Sequence, residues 1–352
     1  MTTAEDSVVV KNIWYMLAYA YRALDVTGFA RIATEDFENV DDLLGAILAA
    51  GLESQRFRGF ERGYVDEEED LAGVRGRIDL PGTIGHRASM SNLVRCVHDD
   101  YTADTLKNRI LKATALALLG DEDVKHETKS SLKRSVMLMR EVGDVDPKTV
   151  DWRRLRYHRN NRSYELLMGV CWMVLRSRIA SKREGETHFG SFVDNQHLHQ
   201  LYEKFVLEYF RRHHPELNAT AKEIPRKAEG DVPSFLPQLQ TDITITNERR
   251  TLIIDTKCYG RILETNYYGK EILSPAHLNQ IQSYVLHEQY GNQKKVEGML
   301  LYALTDRDSA RSEHWNEVGM DLYCYTLDLG QDFSRIASRL EEIAGIVQGT
   351  EQ

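Results

Sequence analysis

The chain is short of most features that would assign it quickly. Its four cysteines, Cys96, Cys171, Cys258 and Cys324, stand too far apart to form a CxxC pair, which argues against a disulfide framework and against a structural zinc centre. No apolar run approaches the roughly 18 residues of a membrane span. The first residues, MTTAEDSVVV, lack both the basic stretch and the long apolar segment of a secretory signal. A cytoplasmic protein with no membrane partner is expected. Positive charge is in deficit, with 45 Lys and Arg against 54 Asp and Glu and a net charge of -9, which excludes a protein that coats nucleic acid over its whole surface. No GxxxxGK[ST] phosphate loop is present, and neither is an internal repeat or a low-complexity tract.

What is present reads as a globular chain, 42% hydrophobic and 28% charged. At 352 residues it exceeds one ordinary core, and two domains are expected, divided near residue 165 into 1–165 and 166–352. Helical spacing marks VKNIWYMLAYAYRAL and Asp41 to Leu52, the two helices expected to open the first domain. Trp14, Tyr15, Tyr19 and Tyr21 there read as N-terminal core or partner interface. YVDEEEDLAGVRGRIDL reads as β-structure with a turn at Gly73 and Gly76, although the acidic run Asp66 to Asp70 has the composition of an exposed loop. A capped helix is expected from about Asp104 to Leu119, followed later by the apolar helix YELLMGVCWMVLRSRIA and by QHLHQLYEKFVLEYFRRHHPEL. The adjacent His213 and His214 point to different sides of the last helix and cannot chelate together.

Local basic patches survive the acidic balance. From Lys125 to Arg162 eleven basic residues face five acidic ones, and Trp152 and Tyr157 are interleaved with arginines, a composition able to pair phosphates and stack on bases. The same composition fits a solvated connector equally well. Arg153 and Arg154 in this tract, with Arg75 and Arg77 in GVRGRIDL, are candidates for contact with DNA or a partner.

The chemistry concentrates beyond Pro215. TDITIT alternates, so Asp242 shares a face with Thr244 and Thr246. NERR makes a turn, and TLIID is a continuous apolar run expected in a central strand buried on both faces. Asp255 and Lys257, two apart, project from the same face at its polar end. Two carboxylates at adjoining strand ends can hold a hard cation such as Mg²⁺, with the Thr256 carbonyl as a third oxygen, and a neighbouring lysine can orient water for phosphodiester hydrolysis. Pairing of Lys257 with Asp255 to neutralise a buried carboxylate is the purely structural alternative, but it leaves Asp242 unexplained. The spacing Asp242, Asp255, Lys257 is that of the PD-(D/E)xK nucleases. Glu203, on the preceding helix, and Gln280, in SPAHLNQIQSYVLH, are accessory candidates.

A closer resemblance is carried by KNIWYMLAYAY, GRIDL, LKNRILKAT, LYEKFVLEY, LPQLQTDITI, LIIDTKCYG and LDLGQDF in that order, from about residue 9 to 333. Together they resemble the McrC family, the endonuclease subunits of McrBC modification-dependent restriction systems. The resemblance implies an α+β or α/β chain: an N-terminal mixed α/β domain that docks to a partner ring, then a restriction-endonuclease-like domain with a mixed sheet flanked by helices. It also implies a partner, an McrB-like AAA+ GTPase hexamer that binds the GTP and reads methylated double-stranded DNA. The family's catalytic positions fall on Asp242, Asp255 and Lys257, none substituted. The runner-up expectation is a catalytically silent regulator that binds and activates its NTPase, and a nuclease directed at RNA or at DNA structure would use the same chemistry.

Overall fold

The computed structural model describes residues 4–24, 39–157, 162–184, 195–227, 235–258, 262–265, 267–304 and 309–349, together with 29, 32, 34, 35, 37 and 233. In chain order the elements are α1 (Ala4–Ala20), α2 (Val40–Arg58), β1 (Gly63–Leu71), β2 (Arg77–Ile78), α3 (Leu80–Ala88), β3 (Val94–Thr102), α4 (Leu106–Leu119), α5 (His126–Met137) and α6 (Arg162–Glu184). Then follow α7 (Asn195–His213), β4 (Glu223–Ile224), β5 (Leu239–Gln240), β6 (Ile243–Thr246), β7 (Arg250–Lys257), β8 (Leu263–Thr265), β9 (Glu271–Leu273), α8 (Pro275–Gln289), β10 (Lys295–Leu304), β11 (Ser312–Glu317), β12 (Met320–Asp328) and α9 (Phe333–Gln348).

Two compact units result, and their division differs from the expected cut near 165. One unit is residues 41–186; the other joins 1–40 to 187–352. Helix α1 therefore belongs with the C-terminal sheet. Its aromatic face supplies the reason: Tyr15 stacks on Phe333 with centroids 4.2 Å apart, and Tyr19 packs edge-on against Phe205 at 5.5 Å. Asn12, 3% exposed, donates from Nδ2 to the carbonyls of Leu329 and Gln331, both at 2.7 Å. A buried amide needs such partners, so KNIWYMLAYAY and LDLGQDF fold as one piece. Conversely α6 belongs to the 41–186 unit, where Tyr164 donates to Asn108 Oδ1 and accepts from the Glu61 amide, each at 2.8 Å.

In the 41–186 unit a three-stranded antiparallel sheet runs β1-β3-β2. The β-reading of YVDEEEDLAGVRGRIDL holds through the acidic run: Asp66 to Asp70 lie in β1, an exposed strand paired with β3 from Asp99 to Arg95. Asp70 is clamped by Arg95 (2.8 Å) and His86 (2.7 Å), which hold its carboxyl well below the ordinary range. Asp99 faces Asp66, and that like-charged neighbour, sharing a hydrogen bond with it, pushes its carboxyl up. The turn between β1 and β2 depends on Gly76, at φ +70°, where an added Cβ would stand 2.5 Å from the Val97 carbonyl oxygen. Gly76→Ala is expected to destabilise the full chain by about 2 kcal/mol in urea denaturation, since it combines left-handed strain with a backbone clash. Gly73→Ala, whose Cβ would meet nothing within 4 Å, serves as control and should cost under about 0.5 kcal/mol. Equal losses at both sites would refute the account.

The other unit is built on a five-stranded sheet in the order β11-β12-β10-β7-β6. Strands β7, β10 and β12 are parallel, with β6 and β11 antiparallel at the edges. Their apolar runs follow from burial on both faces: β7 is buried from Thr251 to Lys257, and β10 from Val296 to Ala303. One face packs on α8 through Ile281, Tyr284 and Val285 against Ile253, Leu300 and Leu322. Helices α7 and α9 contact the sheet as well, and α1 lies on α7. All four cysteines are free and buried. His214 is buried between Glu216 (3.2 Å) and Glu341 (3.0 Å), not on the surface, while His213 shares a 2.9 Å hydrogen bond with the Tyr19 hydroxyl.

Candidate active site

The antiparallel register of β6 on β7 decides the centre of the site. Ile243 faces Ile254, so one further step brings Asp242, just before β6, opposite Asp255. Asp242 is fixed there by the intervening residue: the Thr256 amide donates to its Oδ2 at 2.8 Å and the Thr256 hydroxyl at 2.9 Å. Asp255 is 1% exposed and Lys257 5% exposed. Lys257 Nζ lies 2.7 Å from Asp255 Oδ2 as an ion pair and donates to Gln280 Oε1 at 3.1 Å. Gln280 is itself held one helical turn further along α8, where its Nε2 donates to the Tyr284 hydroxyl at 2.8 Å.

Sequence reading assigned three of these residues to catalysis, and the structure brings all three together. It also draws in both accessory candidates. Gln280 touches Lys257 directly, and Glu203, from α7, lies close enough to Asp242 and Asp255 for their charges to act on it. The reading missed His199, whose Nε2 lies 2.7 Å from the Thr256 carbonyl oxygen. Because that oxygen only accepts, the histidine donates. The signal was there: residues 199 and 203 are four apart on one helix and share a face. His277, paired with the Tyr302 hydroxyl at 2.9 Å, was likewise missed; burial, followed by the Lys257 charge, lowers its pKa. Arg75, Arg77, Arg153 and Arg154 belong to the 41–186 unit, whereas the cluster is formed by segments of the other unit. Arg153 and Arg154 are almost fully exposed and pair loosely with Asp151, Arg75 approaches Asp100 at 3.9 Å, and Arg77 lies in exposed β2. Arg159 and the side chain of Arg162 lie outside the described residues, as do Tyr259 and Gly260 of the LIIDTKCYG stretch.

The electrostatics show what the cluster lacks. Burial, only partly offset by Lys257 and aided by Asp242, pushes the Asp255 carboxyl up to about 6. Burial, with Asp242 next, pushes Glu203 up to about 7. Three acids thus crowd one lysine, and no described group donates a hydrogen bond to the buried Asp255 Oδ1. An orphaned anionic oxygen among carboxylates is the environment that a hard divalent cation satisfies. Among the described residues no three His, Cys, Asp or Glu groups already stand as a metal cluster, so Asp255 and Asp242 would need the Thr256 carbonyl and water to complete an oxygen set. A cavity of about 900 Å³ elsewhere in this unit is lined by Lys222, Lys227, Arg249, His287 and Lys294, at the start of β7 and the end of α8, remote from the acids at the other end of β7.

This geometry can now be set beside known proteins. The model of the family described as McrBC 5-methylcytosine restriction system component matches residues 2–303. The chain belongs to that family. It is 30% identical over 346 residues to the Type IV methyl-directed restriction enzyme EcoKMcrBC of Escherichia coli (strain K12), covering 96% of this chain and 97% of the relative. The family match covers the 41–186 unit and the other unit as far as β10, and includes Asp242, Asp255 and Lys257. Two solved structures from Thermococcus gammatolerans are similar. One, a half-complex of McrB AAA+ hexamers with bound McrC, matches at TM-score 0.49 and 16% identity over 95% of this chain and 76% of that one. The other, the McrBC complex, matches at 0.42 and 17% over 60% of each. Among the described residues no helix is long and apolar enough to cross a membrane.

Proposed function

We propose that this family member is the Mg²⁺-dependent endonuclease subunit of a modification-directed restriction complex, acting on methylated double-stranded DNA with an McrB-like AAA+ GTPase hexamer whose GTP hydrolysis it stimulates. The observation that carries the reading is the convergence of Asp242, Asp255 and Lys257 around a buried carboxylate oxygen that has no hydrogen-bond donor among the described residues. Asp255, Asp242 and the Thr256 carbonyl would hold the cation. When bound, it supplies charge stabilisation to the phosphate and lowers the pKa of water. The protein's own part is positional. Thr256 orients Asp242, His199 orients the Thr256 carbonyl, and Gln280 with Tyr284 steers Lys257. The Lys257 ammonium can then face a phosphate oxygen and the attacking water together, an arrangement that stabilises charge developing in the transition state. The missing phosphate loop fits a chain that draws its nucleotide chemistry from a partner.

The test is cleavage of methylated and unmethylated plasmid by the full chain with its GTPase partner, Mg²⁺ and GTP, with GTP turnover followed in the same tubes. Cutting is expected only with partner, nucleotide and metal together, and only on methylated DNA. A wild-type chain that accelerates GTP turnover yet never cuts would instead make it a regulator built on a nuclease fold.

A further inference from the structure

We propose that the tip of the β8–β9 hairpin, through Tyr267 and Tyr268, grips the DNA strand beside the cut by packing its rings on bases and sugars. The inference rests on the nuclease reading above and adds a substrate-positioning element to it. Tyr267 is 97% exposed and Tyr268 88%, with ring centroids 5.5 Å apart at 86°. Most of the surface of each ring is thus exposed, apolar area that a bound ligand can cover.

Position argues for what that something is. The hairpin lies in the chain between β7, which ends at Lys257, and α8, which carries His277 and Gln280. Both flanks therefore lead into the catalytic cluster. Strands of three residues are too short to be stable alone. The base is instead anchored by Ile262, 1% exposed, and by Leu263 and Leu273, which pack on the core beneath α8. Glu264 of β8 acts electrostatically on His277, which also feels Lys257, so the hairpin base stands at the rim of the site. Three residues of strand extend about 10 Å, or roughly three nucleotides along a DNA strand. A DNA strand running along the hairpin from the site would meet the tip a few nucleotides from the phosphate at Lys257. Charge is not its means, since Lys270 is outnumbered by Glu264 and Glu271. Ring faces stack on any base, and loss of such contacts leaves the count of phosphate contacts unchanged.

The experiment compares wild type, Y267A/Y268A and Y267F/Y268F in the full chain with its GTPase partner, Mg²⁺ and GTP. Cutting is measured against DNA concentration, GTP turnover is followed in parallel, and binding of a fluorescent methylated duplex is read by anisotropy with Asp255→Ala in each chain. The alanine pair should lower kcat/KM for cutting about tenfold or more and weaken duplex binding similarly, with kcat at saturating DNA reduced less. The slope of affinity against salt should not change, GTP turnover should stay at the wild-type level, and the phenylalanine pair should restore most of the loss. Wild-type kcat/KM and affinity in the alanine pair would overturn the proposal. So would loss of GTP stimulation, which would make the tyrosines a partner contact. A wild-type chain that does not cut defeats the nuclease reading instead, and the anisotropy arm then still decides the hairpin.

Discussion

Asp255→Ala is expected to reduce DNA cutting by at least about 1000-fold while leaving stimulation of the partner's GTP hydrolysis intact. Asp255 is the most buried of the site acids, and its Oδ1 has no donor among the described residues, so removing it deletes the ligand around which the others are arranged. Asp242→Ala and Lys257→Ala should match it to within an order of magnitude, because groups that act as a unit lose function together. Gln280→Ala should fall between these variants and wild type, since Gln280 holds Lys257 and touches nothing that reacts. The readout is plasmid cleavage with GTP turnover in one reaction. Cutting by Asp255→Ala within tenfold of wild type would remove Asp255 from the mechanism. Loss of GTP stimulation alongside cutting would mean that the site shapes the partner contact.

Lys257→Met is expected to show a stability loss that depends on pH, measured by urea denaturation with chelator present. In wild type the folded-state pKa of Asp255 is raised from the ordinary 3.8 to about 6 by burial, with Lys257 opposing the rise. Without Lys257 it climbs further. A carboxyl with a raised folded pKa favours folding fully below its unfolded value, and that contribution is lost as pH rises through the folded one. The variant should therefore be less stable than wild type by about 3 kcal/mol at pH 8, where the buried Asp255 carboxyl must take up a proton or carry an uncompensated charge. The deficit should shrink by pH 5, where both proteins carry a protonated Asp255. A deficit of the same size at both values would show that Lys257 stabilises the fold through packing and not through charge. Asp255→Asn in the Lys257→Met background should recover much of the loss at pH 8, because a neutral amide of similar size removes the buried charge.

The two variants separate function from stability at one site. Burial raises Asp255 and Glu203 together, so the cluster holds its acids at a cost to the fold. Cation binding would offset that cost. Such strain is common where residues are kept for chemistry and not for packing.

The sequence by itself determined the local chemistry and the elements that carry it. The alternation in TDITIT, the apolar run TLIID and the two-residue offset from Asp255 to Lys257 all reflect strand periodicity, which is a property of neighbours along the chain. The capped helix expected from about Asp104 to Leu119 is observed as α4, with Thr105 as its cap and Gly120 at its end. The turn at Gly76 follows from the one residue that tolerates its backbone angle. Family membership was legible for the same reason, since its motifs are contiguous stretches.

Tertiary structure alone decided how distant segments meet. Helix α1 left the first 165 residues to pack on Phe205 and Phe333, and α6 joined the 41–186 unit through Tyr164 and Asn108. Neither attachment is encoded in a local period, because aromatic packing and buried hydrogen bonds join residues far apart in the chain, 56 positions from Tyr164 to Asn108 and more for the α1 contacts. The same holds in the site. Gln280 reaches Lys257 because α8 lies over β7 and β10, and His199 reaches Thr256 because α7 crosses the sheet. The acidic run can stay in its strand because β3 offers Arg95 to Asp70, a compensation that composition cannot show. Spacing along one strand can name a catalytic pair, but which helices supply their supporting contacts is settled only when the core closes and every buried polar group must find its partner.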